Sequence, residues 1–315
     1  MISILIPNYN RAKLIIETLE SIQKQTYDEW ECIIVDDGST DDSVDVIQDF
    51  IKEDQRFLLL KRPINLCKGA SSCRNYAFSF SKGNFIQFFD SDDIMHPNHL
   101  KEKIENIHGK DFIICKLLEF QNEFDAVLLK KDSSDHLNLE ENVFEAFVTG
   151  LFPMMMVAPM WKKSSLLPHM PIREDLTILE DHELYARVLS SKVSFAVINK
   201  ALIYYRVGGL SLMNTFYRNV NNGLDSYLEC KKTVLSISDS NTVKLALLKM
   251  VLAVFRLGLA QKDYDATKKI LNFIEIQNLA NSVDLNLKML RIKIFYFLIK
   301  RLGRGDTFLK PMLKL

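Results

Sequence analysis

Over its first hundred residues the chain alternates short β-rich runs with helically spaced segments, and no other feature narrows the fold as much. Ile2–Ile6, Trp30–Val35, Phe57–Leu60 and Asn84–Phe89 are strand-like. Between them, Lys13–Gln23 sets Leu14, Ile15, Thr18, Leu19 and Ile22 at helical spacing, and Ser43–Ile51 and Ala70–Phe80 repeat that pattern. Asp41 or Asp42 is placed to cap the second of these helices. Such alternation predicts a mainly parallel sheet with helices on both faces. Ligands of open sheets sit beyond the carboxyl ends of the strands. Two of these strands run directly into acidic clusters there, VDDGSTDDS at 35–43 and DSDD at 90–93.

The middle of the chain is less regular. Phe112–Leu118, Ala126–Leu129 and Met154–Trp161 are expected to be strands, and Leu139–Thr149 a helix. A loop with Pro168 and Pro171 leads to a helix over Asp181–Leu189, followed by strands at Val193–Ile198 and Leu202–Tyr205. After Met213 the spacing is wholly helical, so a first domain over 1–212 and a helical region over 213–315 are expected.

The 315 residues carry 40 basic and 40 acidic side chains, so no global field attracts nucleic acid. Five cysteines without CxxC spacing argue against a disulfide framework or zinc ribbon and for a reducing compartment. The start, MISILIPNYN, lacks a basic leader and meets Pro7, so it is expected to be a strand and not a signal peptide. No window supplies the roughly 18 uncharged apolar residues of a membrane span, which leads to an expected cytoplasmic location. The balance of charge is local only. Within Leu287–Leu302, Lys288, Arg291, Lys293, Lys300 and Arg301 mix with Ile292, Ile294, Phe295, Phe297, Leu298 and Ile299. This segment is expected either to pack as a subdomain or to lie as a basic amphipathic helix on an anionic membrane surface.

Four segments carry candidate chemistry. In DSDD, the carboxylates of Asp90, Asp92 and Asp93 are hard oxygen ligands suited to Mg²⁺ or Mn²⁺, which bind few carboxylates plus substrate phosphates. The same residues would also serve as an Asx-turn or cap before Pro97–Ile104. In VDDGS, Gly38 permits a strand-to-helix turn, while a carboxylate of Asp36 or Asp37 could accept from the N–H of a uracil-type base on which Tyr9 stacks. In NLCKGASSCRN (65–75), Lys68 and Arg74 flank a small-residue loop entering a helix, where cations and free N–H groups could face phosphate. That loop matches neither the P-loop nor GxGxxG. In LEDHELYARVL, Glu180 and Asp181 head an amphipathic helix, where acids serve as caps or as a general base.

In order along residues 1–210, SILIPNYNR, QTYDEWECIIVDDGSTDDS, NLCKGASSCRN, KGNFIQFFDSDD, LEDHELYARVL and YYRVGGLS resemble the family 2 glycosyltransferases, an inverting group with the GT-A fold. The resemblance implies an α/β, Rossmann-like, mainly parallel mixed sheet flanked by helices, with a C-terminal helical subdomain. It implies a nucleotide-binding part over 1–105 and an acceptor-binding part over 106–212. Pro7, Tyr9 and Asp37 would line the base pocket, with Asp36 at its border and Lys68 and Arg74 on the nucleotide loop. Asp92 and Asp93 would share ribose contact and metal coordination, with Asp90 in support and Mn²⁺ or Mg²⁺ as cofactor. Asp181 would be the catalytic base. The implied reaction moves a sugar from a nucleotide-sugar donor, expected to be UDP-linked, to a glycan or lipid-linked acceptor in surface polysaccharide synthesis. One departure stands out. The family often has a histidine two residues after the tyrosine-arginine pair, where this chain has Gly208, with Arg206 and Ser211 still in register. Two rival readings follow. One is a non-catalytic sugar-nucleotide-binding scaffold. The other is a sugar-nucleotide-forming nucleotidyltransferase, which would need a glycine-rich basic fingerprint where PNYNR stands.

Overall fold

The computed structural model describes residues 1–131, 137, 142–208 and 212–302. The chain divides into two compact units. One comprises Met1–Glu141, Pro153–Glu174 and Glu180–Gly209; the other comprises Asn142–Phe152, Asp175–Leu179 and Leu210–Leu315.

The first unit opens with β1 (Ile2–Asn8), α1 (Ile15–Gln23), β2 (Trp30–Asp36), α2 (Ser43–Ile51), β3 (Phe57–Lys61), α3 (Ala70–Phe80) and β4 (Phe85–Phe88). These are the elements the alternating pattern predicts, within a residue or two. Then come β5 (Ile94–Met95), α4 (His99–Asn106) and β6 (Phe112–Gln121). After α5 (Val143–Val148), a piece of the second unit, follow β7 (Pro159–Lys162), α6 (Lys163–Leu166), α7 (Glu180–Ser190) and β8 (Phe195–Val207). Eight strands form one mixed sheet in the order β3-β2-β1-β4-β7-β6-β8-β5. β3, β2, β1 and β4 are mutually parallel; β7 runs antiparallel to both β4 and β6, while β6 and β8 are parallel.

Period-two alternation explains the strand setting. Ile2, Ile4 and Ile6 of β1 share one buried layer with Ile15, Leu19 and Ile22 of α1. Burial of each such side chain contributes about 1.5–3 kcal/mol, so a one-residue slip of β1 would forfeit several of these contributions at once. That layer fixes where the carboxyl end of β1 emerges.

Three expectations for the middle of the chain require correction. Ala126–Leu129 is not a strand but part of a 3-10 turn over Ala126–Lys130, because the side chain of Asp125 accepts from the Val127 N–H and caps it. Of Met154–Trp161, only the end is strand. The Met156 and Val157 carbonyls accept from the Tyr185 hydroxyl and the Gln87 amide, bonds made with side chains and not with a sheet ladder. The two predicted strands at 193–198 and 202–205 are one continuous strand, β8, with a register shift opposite Lys116. Of the predicted helix at 139–149, residues 139–141 lie outside the described residues and 143–148 are helical.

Lys103 of α4 is fully buried beneath the sheet. Its ammonium donates to Gln87 Oε1 and to the Ala158 carbonyl, each at 2.8 Å. Burial pulls its pKa down to about 8, and Cys115 offsets only part of that. Below pH 8 Lys103 is charged both folded and unfolded, so the folded state bears the whole desolvation cost. Between pH 8 and an unfolded value near 10.4 the unfolded chain holds the extra proton, and stability rises with pH. Urea midpoints should therefore show the stability of wild type gaining on that of Lys103→Met across this window, at up to about 1.4 kcal/mol per pH unit. A difference between the two that is flat from pH 7 to 11 would contradict the assignment.

The second unit is helical after its short early segments. It contains α8 (Leu212–Arg218), α9 (Leu224–Ile237), α10 (Asn241–Ala260), α11 (Tyr264–Ile276) and α12 (Val283–Leu302). Its core gathers Phe216, Leu252, Phe255 and Ile270 among other buried side chains. Ser240 caps α10 through Val243 N–H, and Asp263 caps α11 through Ala266 N–H. No helix among the described residues is long and apolar enough to cross a membrane.

Candidate active site

The carboxyl ends of β1, β2 and β4 bring the acidic clusters to one edge of the sheet. Asn8 lies opposite Asp36 in register, and the sheet carries Pro7 beside Val35. The two aspartates after β2 do different work. Asp36 is buried and accepts from Asn8 Nδ2 at 2.9 Å, the Gly38 and Ser39 N–H groups at 3.0 and 2.9 Å, and the Ser39 hydroxyl at 2.6 Å. Its carboxylate is spent on closing the strand-to-helix turn, where Gly38 adopts a φ of +82°. Asp42 occupies the N-cap position of α2 without a side-chain bond, and it is Asp41 that accepts from the Ser43 N–H and hydroxyl.

Asp37, also buried, turns the other way. Its two oxygens hold the side chain of Arg62 and the N–H of Gly69, which joins β2 to the loop before α3. Arg62 was not signalled by any motif; it follows β3 by one residue and also donates to the Pro63 and Leu66 carbonyls. A carboxylate has about four lone-pair positions, so Asp37 keeps capacity for a further donor. Lys68 Nζ lies 4.0 Å from the centroid of the half-exposed Tyr9 ring, a cation–π contact between an expected nucleotide-loop residue and an expected base-pocket residue. Burial, then Asp37, pushes the thiol of Cys73 up to about 12, which marks how close α3 stands to that carboxylate.

Arg74, in the first turns of α3, is buried and spans two acidic clusters. One guanidinium nitrogen donates to Asp90 at 2.7 Å and the other to Glu180 at 3.3 Å. Two anions around one buried cation hold the DSDD turn to the head of α7. Asp181 follows Glu180 there, and Leu179 before it has a φ of +61°, a left-handed conformation that a leucine adopts only when its surroundings impose it. Burial first, and then Glu180, raises Asp181 to about 7; the His182 N–H at 2.7 Å and Arg74 oppose that shift. A carboxylate poised near neutrality fits a general base.

Asp92 and Asp93 lie in the same cluster. Burial, followed by Asp90, raises both above the ordinary carboxylate range, Asp93 by far the more. Asp92 pairs with Arg11 Nε at 3.3 Å. Arg206 locks the turn from β8: its N–H donates to Asp93 Oδ1 at 2.9 Å, its Nε to the Asp92 carbonyl at 2.9 Å, and its guanidinium also holds Glu17. Burial, followed by Asp90, Asp93, Asp92 and Asp181, raises the Tyr205 phenol, so four carboxylates act on one ring. Neither Arg11 nor Tyr205 was marked as a site residue by the sequence, because only the tertiary fold places them there.

Among the described residues no three His, Cys, Asp or Glu side chains form a ready-made cation site. Asp93 Oδ2, however, is buried without a hydrogen-bond partner. An orphaned carboxylate oxygen beside a second carboxylate fits a divalent cation whose remaining ligands come from a diphosphate and water. Gly208 has a φ of +100°, which suits glycine, although a Cβ there would meet only Gln121 Cγ at 3.9 Å. At this φ any side chain, a histidine included, would strain the backbone, although the space would admit it. Ser211 lies outside the described residues.

A hollow of about 690 Å³ opens beside this edge, lined by Asn10, Arg11, Lys13, Asp41 and Asp42 among others. A larger one of about 820 Å³ lies in the second unit around Arg218, Gln261 and Asp263, but Asp263 there is occupied in capping α11. The acidic clusters at the sheet edge and the head of α7 belong to the first unit.

Mixed sheet, flanking helices and acidic edge together define a GT-A type fold, and comparison with solved structures agrees. S. aureus TarS in complex with UDP-GlcNAc superposes with a TM-score of 0.56 at 19% identity, covering 85% of this chain and 90% of that one. A mannosyltransferase of Pyrobaculum calidifontis in complex with GDP-Man and Mn²⁺ gives 0.56 at 14% identity, covering 95% and 83%. Residues 3–156 match the family described as glycosyl transferase family 2, and over these residues the chain belongs to that family. The uncharacterized glycosyltransferase MJ1057 of Methanocaldococcus jannaschii is 28% identical over 214 residues, 66% of this chain and 71% of that protein. The E. coli UDP-Glc:alpha-D-GlcNAc-diphosphoundecaprenol beta-1,3-glucosyltransferase WfaP is 45% identical over 104 residues, 33% of this chain and 40% of its own length. Glycosyltransferase GlyG of Streptococcus pneumoniae is 38% identical over 111 residues, 35% of this chain and 36% of that protein.

Proposed function

We propose that the chain is an inverting glycosyltransferase that uses a divalent cation and transfers a hexose from a UDP-sugar to a hydroxyl of a glycan or lipid-linked acceptor in surface polysaccharide synthesis. It would act in the cytoplasm, at the inner face of the cell membrane. One observation carries the reading: Arg74 bridges Asp90 of the DSDD turn and Glu180 at the head of α7, next to Asp181, whose carboxyl burial raises to about 7.

In this mechanism Tyr9, Pro7 and Asp37 receive the base, with Asp36 rigidifying the turn beneath it and Lys68 on the nucleotide loop beside Tyr9. Asp93, with Asp92, would hold Mn²⁺ or Mg²⁺ at the donor diphosphate once Arg11 yields its pairing. The cation, when bound, supplies charge neutralisation for the leaving nucleoside diphosphate. Asp181 accepts the proton of the acceptor hydroxyl as its oxygen bonds to the anomeric carbon. The bond to the diphosphate breaks on the opposite face, which inverts that carbon. Arg74 remains between Asp90 and Glu180 and keeps Asp181 from being surrounded by anions alone. The relative named for UDP-Glc and the neighbour solved with UDP-GlcNAc support a UDP-linked donor.

Gly208 supports a second reading, a sugar-nucleotide-binding protein without turnover. A screen of UDP- and GDP-sugars for hydrolysis, in Mn²⁺ and in chelator, separates the two. Metal-dependent release of UDP from one donor is expected; donor binding with no release from any donor would leave the scaffold reading in place.

A further inference from the structure

Helix α12 carries apolar side chains on two opposite faces. Met289, Ile292 and Ile299 are buried in the core of the second unit, with Leu285, Phe295 and Tyr296 packed beside them. At about 100° per residue, Leu287, Leu290, Ile294, Phe297 and Leu298 fall on the other side. There they are 52%, 54%, 52%, 63% and 44% exposed. Single exposed leucines are ordinary, but a continuous stripe along one helix marks a surface that meets something.

The borders of the stripe identify what it meets. Arg291 lies along one edge, Lys293 and Lys300 along the other, and Arg301 closes the C-terminal end; Asp284 in the first turn is the only acid on the helix. Lys293 is held by Glu275, and Lys300 lies over the Tyr264 ring at 5.7 Å, so their stems lie along the protein while the charges remain beside the stripe. Two copies joined stripe to stripe would set these cationic borders against one another. An anionic surface with an apolar interior complements both features.

We infer that this face of α12 seats in the interface of a lipid bilayer carrying anionic headgroups, with the helix lying flat and its inner face still in the protein core. Five apolar side chains would enter the boundary between headgroups and acyl chains, and the flanking cations would meet phosphate and carboxylate headgroups. The inference rests on α12 alone and goes beyond the transfer reading, so either can fail without the other.

The test is co-sedimentation of the full chain with vesicles of phosphatidylglycerol and phosphatidylcholine, and with vesicles of phosphatidylcholine alone. Pelleting with the anionic vesicles and at least about ten-fold weaker partitioning on the neutral ones are expected. High salt should reverse much of the binding. The triple variant Leu290→Gln, Ile294→Gln, Phe297→Gln and the double variant Arg291→Gln, Lys300→Gln should each lower partitioning by about ten-fold or more. All five positions are exposed, so melting temperatures should be unchanged; if the triple variant melts lower, the double variant decides. No pelleting of the intact chain, or equal pelleting on both compositions, would overturn the inference. So would a dimer in light scattering that the triple variant dissolves while vesicles go unbound, which would make a second copy the occupant. Binding to an acidic protein without binding to vesicles would likewise overturn it.

Discussion

Asp181→Asn should lower sugar transfer by about a thousand-fold while UDP affinity stays within about three-fold of wild type. The amide keeps the shape and the contact with the His182 N–H but accepts no proton from an acceptor hydroxyl. The loss should therefore fall on turnover with Mn²⁺-dependent UDP binding intact, as read by rapid-quench assay and by calorimetry. The pH profile gives a second readout. Asp181 is raised to about 7 chiefly by burial, so below that pH it is protonated and unable to act as base. Wild-type kcat/KM, which reports the free protein, should rise with pH through about 7 and then level off. A carboxylate whose folded pKa lies above its unfolded value of about 3.9 also weakens the fold as pH rises between the two. The asparagine variant escapes that cost, so it should melt no lower than wild type at neutral pH. A variant that keeps turnover and the ascending limb would remove Asp181 from the chemistry. One that loses turnover together with several degrees of melting temperature would indicate damage to the Arg74 network.

What the sequence disclosed and what it withheld divide along a physical line. The β-α alternation of the first hundred residues was legible because β1, β2 and β4 are largely buried apolar runs and the helices between them show apolar faces, a local pattern that the sheet only completes. DSDD and LEDHE stood out as candidates, although a turn or a helix cap explains either alone, because they fall in order with the other motifs of one family. The partners of those carboxylates were not legible. Arg11, Tyr205 and the latch made by Arg206, the last from 114 residues away, reach the DSDD turn, as Arg62 reaches Asp37, and isolated side chains of this kind give no periodic signal. Asp36 shows the converse. Its neighbour relations were readable, yet only coordinates show its carboxylate consumed by four donors, which leaves Asp37 as the member of the pair with spare acceptor capacity. For the helix at 283–302 the sequence left packing in a subdomain and seating on a membrane as alternatives; the coordinates show apolar residues on two faces, one of them buried in the core of the second unit.

The second large effect belongs to Asp93. Its Oδ1 accepts from the Arg206 N–H, while its Oδ2 is buried without a partner. Burial and then Asp90 hold it well above the ordinary carboxylate range, so in chelator its charge opposes folding wherever it is ionised. Asp93→Asn preserves the acceptor toward Arg206, removes the charge, and removes a hard anionic oxygen. Three outcomes follow together. Transfer should fall by about a hundred-fold or more, the scale expected when a charge that stabilises a leaving group is lost. Mn²⁺ should no longer enhance UDP binding, because an amide oxygen is a poor substitute for a carboxylate toward a hard cation. In chelator the variant should be as stable as wild type or more so, with the advantage growing as pH rises above the unfolded carboxylate value of about 3.9. The combination separates a ligand from a structural acid. A purely structural Asp93 would lose stability on substitution and keep its Mn²⁺ response, and that result in titration calorimetry and thermal melts would place the cation, if one binds, elsewhere on the sheet edge.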